Sequence, residues 1–164
     1  MSSARTAPAD DGPAALTPEQ QESRRAWFRD HWTKGVAFNA HCGMTVQRWD
    51  PDGVSIGLPF ADHLSAHEGV FHGGVISALI DTTGSAAVIA GHDFNKGSRL
   101  TTISLSVNYF SVAPGEGAVA EARCTRRGGR VHFAEVTVRS ESGKPLAQGL
   151  VAVSVGGRRP GMPE

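Results

Sequence analysis

Residues 67–91, HEGVFHGGVISALIDTTGSAAVIAG, decide how the rest of the chain reads. Gly73 and Gly74 follow His72 and carry no Cβ, so other groups can approach their backbone closely. From Gly74 onward Val75, Ala78, Leu79, Ala86 and Ile89 recur at three- and four-residue steps, the spacing of an amphipathic helix rich in small residues. Gly91 is its expected stop. At 1.5 Å per residue such a helix runs roughly 27 Å, enough to cross a small domain. Its first turn offers free N–H groups and the positive end of the helix dipole, a place for developing negative charge. Asp81 is the lone acid within it. A helical Asp usually faces water. Here Ala78, Leu79, Ile80 and Gly84 make the helix apolar nearly all round, which predicts a buried carboxylate with a partner or a task.

The whole chain has 164 residues, enough for one domain with a core. Sixteen basic residues balance sixteen acidic ones, so no basic excess argues for nucleic acid. No run of 18 apolar residues is read as a membrane span, and no charged-then-apolar leader opens the chain. Cys42 and Cys124 are the two cysteines. A disulfide framework is therefore not expected, and a cytoplasmic, reducing location is.

Working outward, residues 1–15 lack periodicity and read as a disordered tail. One domain is expected over 16–155. Thr17-Pro18-Glu19-Gln20 reads as a capped start for a helix over 17–33, with Trp27, Phe28, His31 and Trp32 sealing the edge of a core. Gly43 to Trp49 and Val54 to Phe60 read as strands around the turn Asp50-Pro51-Asp52-Gly53. After the central helix, Ile103, Leu105, Val107 and Tyr109 alternate with Ser104, Ser106 and Asn108, the pattern of a half-buried strand. Three more strands follow over Ala118 to Arg126, Val131 to Ser140 and Leu146 to Val155, and 156–164 reads as a loose tail. Two strands, one long helix and four antiparallel strands predict an α+β domain with one sheet around a central helix.

The chemistry is narrowed by what is missing. Neither a Gly-x-Ser-x-Gly elbow nor a phosphate-cradling or dinucleotide glycine loop occurs. His63, His67 and His72 lie close in sequence without metal-site spacing, and no metal is expected. A helix N-terminus with one carboxylate suits hydrolysis of an activated acyl group.

His72-Gly73-Gly74, Leu79-x-Asp81, the Gly/Ala stretch after it, and the strands with Tyr109 and Pro114-Gly115 resemble the hotdog-fold thioesterases over residues 36–155. The nearest resemblance is to the phenylacetic-acid-degradation (PaaI-like) branch of the 4-hydroxybenzoyl-CoA thioesterase superfamily. It implies a hotdog fold, a curved antiparallel sheet around the helix, paired into homodimers or homotetramers. It also implies acyl-CoA hydrolysis without a metal or separate cofactor, CoA being part of the substrate. By the same resemblance Gly73 supplies a backbone N–H to the thioester carbonyl, and His72 and Gly74 shape the site. Asp81 is general base or nucleophile, and Thr102, with Thr101 in competition, positions water. Relatives often carry Asn or Gln where this chain has Ala66, and His67 or His63 is the available substitute. Arg126, Arg127 and Arg130 crowd one turn, where relatives place basic residues near CoA phosphates; Arg suits phosphate through its planar fork. Lys96 and Arg99 are further candidates. No nucleic-acid or membrane partner is expected. The alternative function is a catalytically weak acyl-CoA-binding or sensing protein, favoured by Ala66 as the enzyme is by Asp81.

Gly73 and Asp81 are eight residues apart, so one helix separates them by about 12 Å along its axis. A base acts within roughly 3 Å or through one water, so a shared site between two antiparallel helices of a dimer is expected.

Overall fold

A computed structural model describes residues 15–51, 53–67 and 69–162. Residues 1–14 of the expected tail, Asp52 of the first turn, Glu68 and the last two residues lie outside the described residues. Helix α1 (Pro18–His31) starts with the expected box: Thr17 Oγ1 accepts from Gln20 N–H, and Gln20 Oε1 from Thr17 N–H. A second, short helix α2 (Ala37–His41) lies in a stretch to which the sequence reading gave no element. Strands β1 (Thr45–Asp50) and β2 (Gly53–Leu58) form the first hairpin, and α3 (Gly73–Ala90) is the central helix. β3 (Arg99–Tyr109), β4 (Ala118–Arg127), β5 (Val131–Ser140) and β6 (Pro145–Gly156) complete the chain.

All six strands join one antiparallel sheet in the order β1-β2-β4-β5-β6-β3. β3 precedes β4 in sequence but pairs with β6 instead, so among the described residues one of its edges has no strand beside it. The sheet wraps α3, as the α+β reading predicts. Leu79, Ile80, Ala87, Val88 and Ile89 are buried with Val54, Ile56, Ala120, Val136, Val138 and Val153. The approach is close enough to need glycine at two places. A Cβ on Gly84 would meet Val151 Cγ2 at 2.6 Å, and one on Gly149 would meet Ile80 Cγ2 at 2.6 Å.

α3 is long and apolar enough to cross a membrane by length and composition, although no such run was anticipated; most of it is buried within the domain. Phe28 stacks on Phe94 at 5.5 Å between ring centroids, and Trp32 meets Trp49 at 5.6 Å, so α1 closes one end of the core. Residues 156–162, read from sequence as a loose tail, run along the body. Ser98 N–H donates to Gly157 O, Arg159 N–H donates to Ser98 Oγ, and Met162 is buried.

Candidate active site

The loop before α3 is folded tightly back on itself. Ala66 N–H donates to Val70 O, Val70 N–H to His67 O, and His72 N–H to Leu64 O. His72 is the N-cap, and its Nδ1 accepts Gly74 N–H at 2.9 Å. The ring's proton therefore sits on Nε2. Val75 and Ile76 N–H both point to His72 O. Gly73 N–H, in contrast, meets no acceptor among the described residues. Gly73 lines a cavity of about 280 Å³ with Ala66, His67, Phe71, Ile76 and Tyr109. The structure thus gathers His72, Gly73, Gly74, Ala66 and His67 at one end of the helix.

Asp81 sits two turns further on. It is half-buried rather than buried, because the sheet covers the opposite side of α3 and its own side is only partly roofed by α1 and α2. Thr102 Oγ1 donates to Asp81 Oδ1 at 2.8 Å. Both line a second cavity of about 290 Å³ with Trp32, Phe38, Asn39, Thr82 and Leu100. Its roof is pinned by polar bonds: Trp32 Nε1–H donates to Thr82 O, Thr82 Oγ1 to Asn39 Oδ1, and Asn39 Nδ2 to Trp32 O. The register of β3 against β6 shifts between Thr102 and Ser104, a bulge. Thr102 consequently pairs with Val153 on the helix side of the sheet. Thr101, its competitor, pairs with Ser154 on the other face and does not reach Asp81. The Gly73 and Asp81 groups line separate cavities within one chain.

The arginine turn divides. A shift in register between Cys124 and Arg126 places Arg127 opposite buried His132, on the helix side. Its guanidinium donates to Val88 O at 2.6 Å, Ala87 O at 3.2 Å and Pro51 O at 3.3 Å. It caps the carbonyls at the C-terminus of α3, which the helix dipole favours. Gly91 fits this role, since a Cβ there would meet Arg127 Nη2 at 2.5 Å. Arg126 is opposite Phe133 on the outer face, and Arg130 lies in the turn beside Gly156. Neither is ion-paired among the described residues. Arg99 pairs with Gly156 in the sheet, so it starts β3 at the same end of the domain.

Three features escaped the sequence reading. Tyr109 Oη donates to Gly73 O at 2.9 Å and lies 2.5 Å from Ser77 Oγ. Asn39, in α2, anchors the roof over Asp81. His92 and His132 are buried, edge to face, 5.4 Å apart. The sequence reading has Tyr109 as a strand residue within the resemblance and gives it no partner; the i, i+4 spacing of Gly73 and Ser77 names none either. No group of three or more His, Cys, Asp or Glu among the described residues could hold a metal ion.

Residues 68–147 match the family model described as the thioesterase superfamily. A Halobacterium salinarum protein carrying the name "Putative esterase" is 32% identical over 99 residues, 58% of this chain. The chain spans 65% of that relative's length. A solved Shewanella oneidensis protein related to the thioesterase superfamily superposes with a TM-score of 0.74 at 23% identity, covering 86% of this chain and 100% of that one. A hypothetical thioesterase protein from Streptococcus pneumoniae, solved with coenzyme A, gives 0.62 at 18% identity, covering 71% of this chain and 88% of that one. These two likenesses are of fold: a hotdog.

Proposed function

From the hotdog fold and the match of residues 68–147 to the thioesterase superfamily model, we propose that the chain is a member of that superfamily and hydrolyses an acyl-CoA thioester to the free acid and CoA. The observation that carries this reading is the pair of groups on α3: a Gly73 N–H at its head that meets no acceptor among the described residues, and Asp81 held by Thr102 two turns later. An amide N–H at a helix N-terminus stabilises the oxyanion that forms when a thioester carbonyl is attacked. Asp81 supplies the other half. As general base it takes a proton from the attacking water. As nucleophile it forms an anhydride that water then opens. In both routes the thioester C–S bond breaks and CoA leaves as the thiol after protonation. The coenzyme A in the Streptococcus pneumoniae structure is support for a CoA substrate. Arg126 and Arg130 are the proposed phosphate contacts.

The site is proposed to be shared between two subunits. One α3 keeps Gly73 and Asp81 about 12 Å apart along its axis. Two antiparallel copies would bring Gly73 of one chain to Asp81 of the next. The unpaired edge of β3, with Ile103, Tyr109 and, just beyond it, Phe110 exposed, is the expected contact. A homodimer or homotetramer in the cytoplasm is the working form on this reading, and the substrate alone is its small-molecule partner.

A second reading, a weakly catalytic acyl-CoA-binding protein, is favoured by Ala66, which brings no amide to the cavity at Gly73. Thiol release from a panel of aryl, arylacetyl, short and long acyl-CoAs separates the two, with Asp81→Ala as control. Hydrolysis abolished by that change supports the enzyme. Tight binding without turnover supports the sensor.

A further inference from the structure

We infer that Tyr109, supported by Ser77, is a positioning residue that fixes the peptide at the head of α3; this rests on the hydrolysis proposed above. The need for such a residue follows from the two glycines. Neither Gly73 nor Gly74 has a side chain to anchor its peptide plane, and glycine loses more backbone freedom on ordering than any other residue. Yet an oxyanion donor must be aimed before the reaction starts, since preorganisation is what makes it effective.

The chain supplies the missing anchors from outside the helix. Gly73 C=O and Gly74 N–H belong to one peptide group. His72 Nδ1 holds its N–H end at 2.9 Å, and Tyr109 Oη holds its C=O end at 2.9 Å. The Gly73 N–H belongs to the preceding peptide, whose His72 C=O is held by Val75 and Ile76 N–H; Tyr109 and His72 Nδ1 grip the following one, so both planes that meet at Gly73 are fixed. The Tyr109 hydroxyl has one proton, and Gly73 O takes it. In the 2.5 Å contact with Ser77 the serine must therefore be the donor. The result is a chain, Ser77 Oγ–H to Tyr109 Oη–H to Gly73 O, that begins and ends on α3 one turn apart. Such chains strengthen their members by mutual polarisation.

Tyr109 adds little to the core of its own chain, where it is 54% exposed. Its ring nonetheless packs on the glycine, 3.6 Å from where a Cβ on Gly73 would sit. A direct catalytic role is disfavoured, because the only acidic proton of Tyr109 is already donated. β3 thus braces both candidate groups, Gly73 through Tyr109 and Asp81 through Thr102.

The test uses the full chain and the best acyl-CoA of the panel. Tyr109→Phe removes Oη and keeps the ring. It is expected to lower kcat about tenfold while leaving KM and the melting temperature near wild type. Ser77→Ala should lower kcat less, Ser77→Thr should restore it, and the Ser77→Ala/Tyr109→Phe double variant should be no slower than Tyr109→Phe alone. Wild-type kcat in Tyr109→Phe, a loss confined to KM, or losses that simply multiply in the double variant would overturn the inference. Asp81→Asn, assayed alongside, keeps the two readings apart. If wild type turns over and Asp81→Asn does not, the function stands and Tyr109 is judged alone. If wild type hydrolyses no thioester, both fall.

Discussion

Thr102 Oγ1–H donates to Asp81 Oδ1 at 2.8 Å, tying the edge strand β3 to the middle of α3. The bond orients one carboxylate oxygen and leaves Oδ2 without a protein donor among the described residues. That is the arrangement a base or nucleophile needs: one oxygen held, one available. Asp81→Asn or Asp81→Ala should cut turnover by about a hundredfold or more with the fold intact, the range for losing a general base. Thr102→Val, which deletes only the hydroxyl, should cost about tenfold. Near wild-type turnover in Asp81→Ala would make the carboxylate structural.

Arg127 and its neighbours should respond in opposite ways. Arg127→Met removes three donors from the carbonyls of Ala87, Val88 and Pro51 and should lower stability by about 2 kcal/mol, read as a shift in urea midpoint. An unchanged midpoint would show that the cap is dispensable.

Arg126→Ala with Arg130→Ala should leave stability alone and raise KM for CoA esters. Small thioesters that lack the nucleotide should be hydrolysed as before. An equal loss on both substrate types would remove these arginines from the phosphate.

The shared site makes a prediction about mixtures. Gly73→Pro deletes the oxyanion N–H at a helix position that tolerates proline. Gly73→Pro and Asp81→Ala chains should each be inactive alone. After subunit exchange, mixed dimers should regain one working site of two. Mass-verified heterodimers without activity, or a fully active monomer by light scattering, would refute sharing.

Stability should fall on the acid side because of the buried histidines. Burial pushes His92 down to about 4, and its Nε2 contacts Gly97 O at 3.0 Å. Burial likewise lowers His132, whose two ring nitrogens are buried without partners among the described residues. Below pH about 6.5 the unfolded chain therefore binds protons that the folded chain refuses. The stability is fully present above that pH and is lost as pH falls toward 4, on the order of 3 kcal/mol for His92. Urea midpoints measured from pH about 7.5 down to about 4.5 should trace this loss. His132→Leu, which leaves no orphaned donor, should remove that residue's share of the loss and keep the His92 share; a flat wild-type profile would exclude the histidines as its cause.

Much of this was written in local sequence. The three- and four-residue steps after Gly74 set α3, and period-two alternation with turn residues set the strands to within a few positions. Local backbone preference and side-chain period suffice for that. The thioesterase resemblance was also legible in His72-Gly73-Gly74 and Asp81, because their spacing lies within one helix. What tertiary structure alone decided was which face each strand residue takes and which strands are neighbours. By alternation Thr102 falls with Ser104, Ser106 and Asn108 on the outer face. One extra residue in the bulge turns it toward Asp81 and leaves Thr101 outside. The same device near Cys124 turns Arg127 to the C-terminal carbonyls of α3. The pairing of β3 with β6, distant in sequence, brings Tyr109 to Gly73. A bulge or a long-range pairing has no local signature, because its stability comes from contacts between segments that meet only once the sheet has closed around the helix.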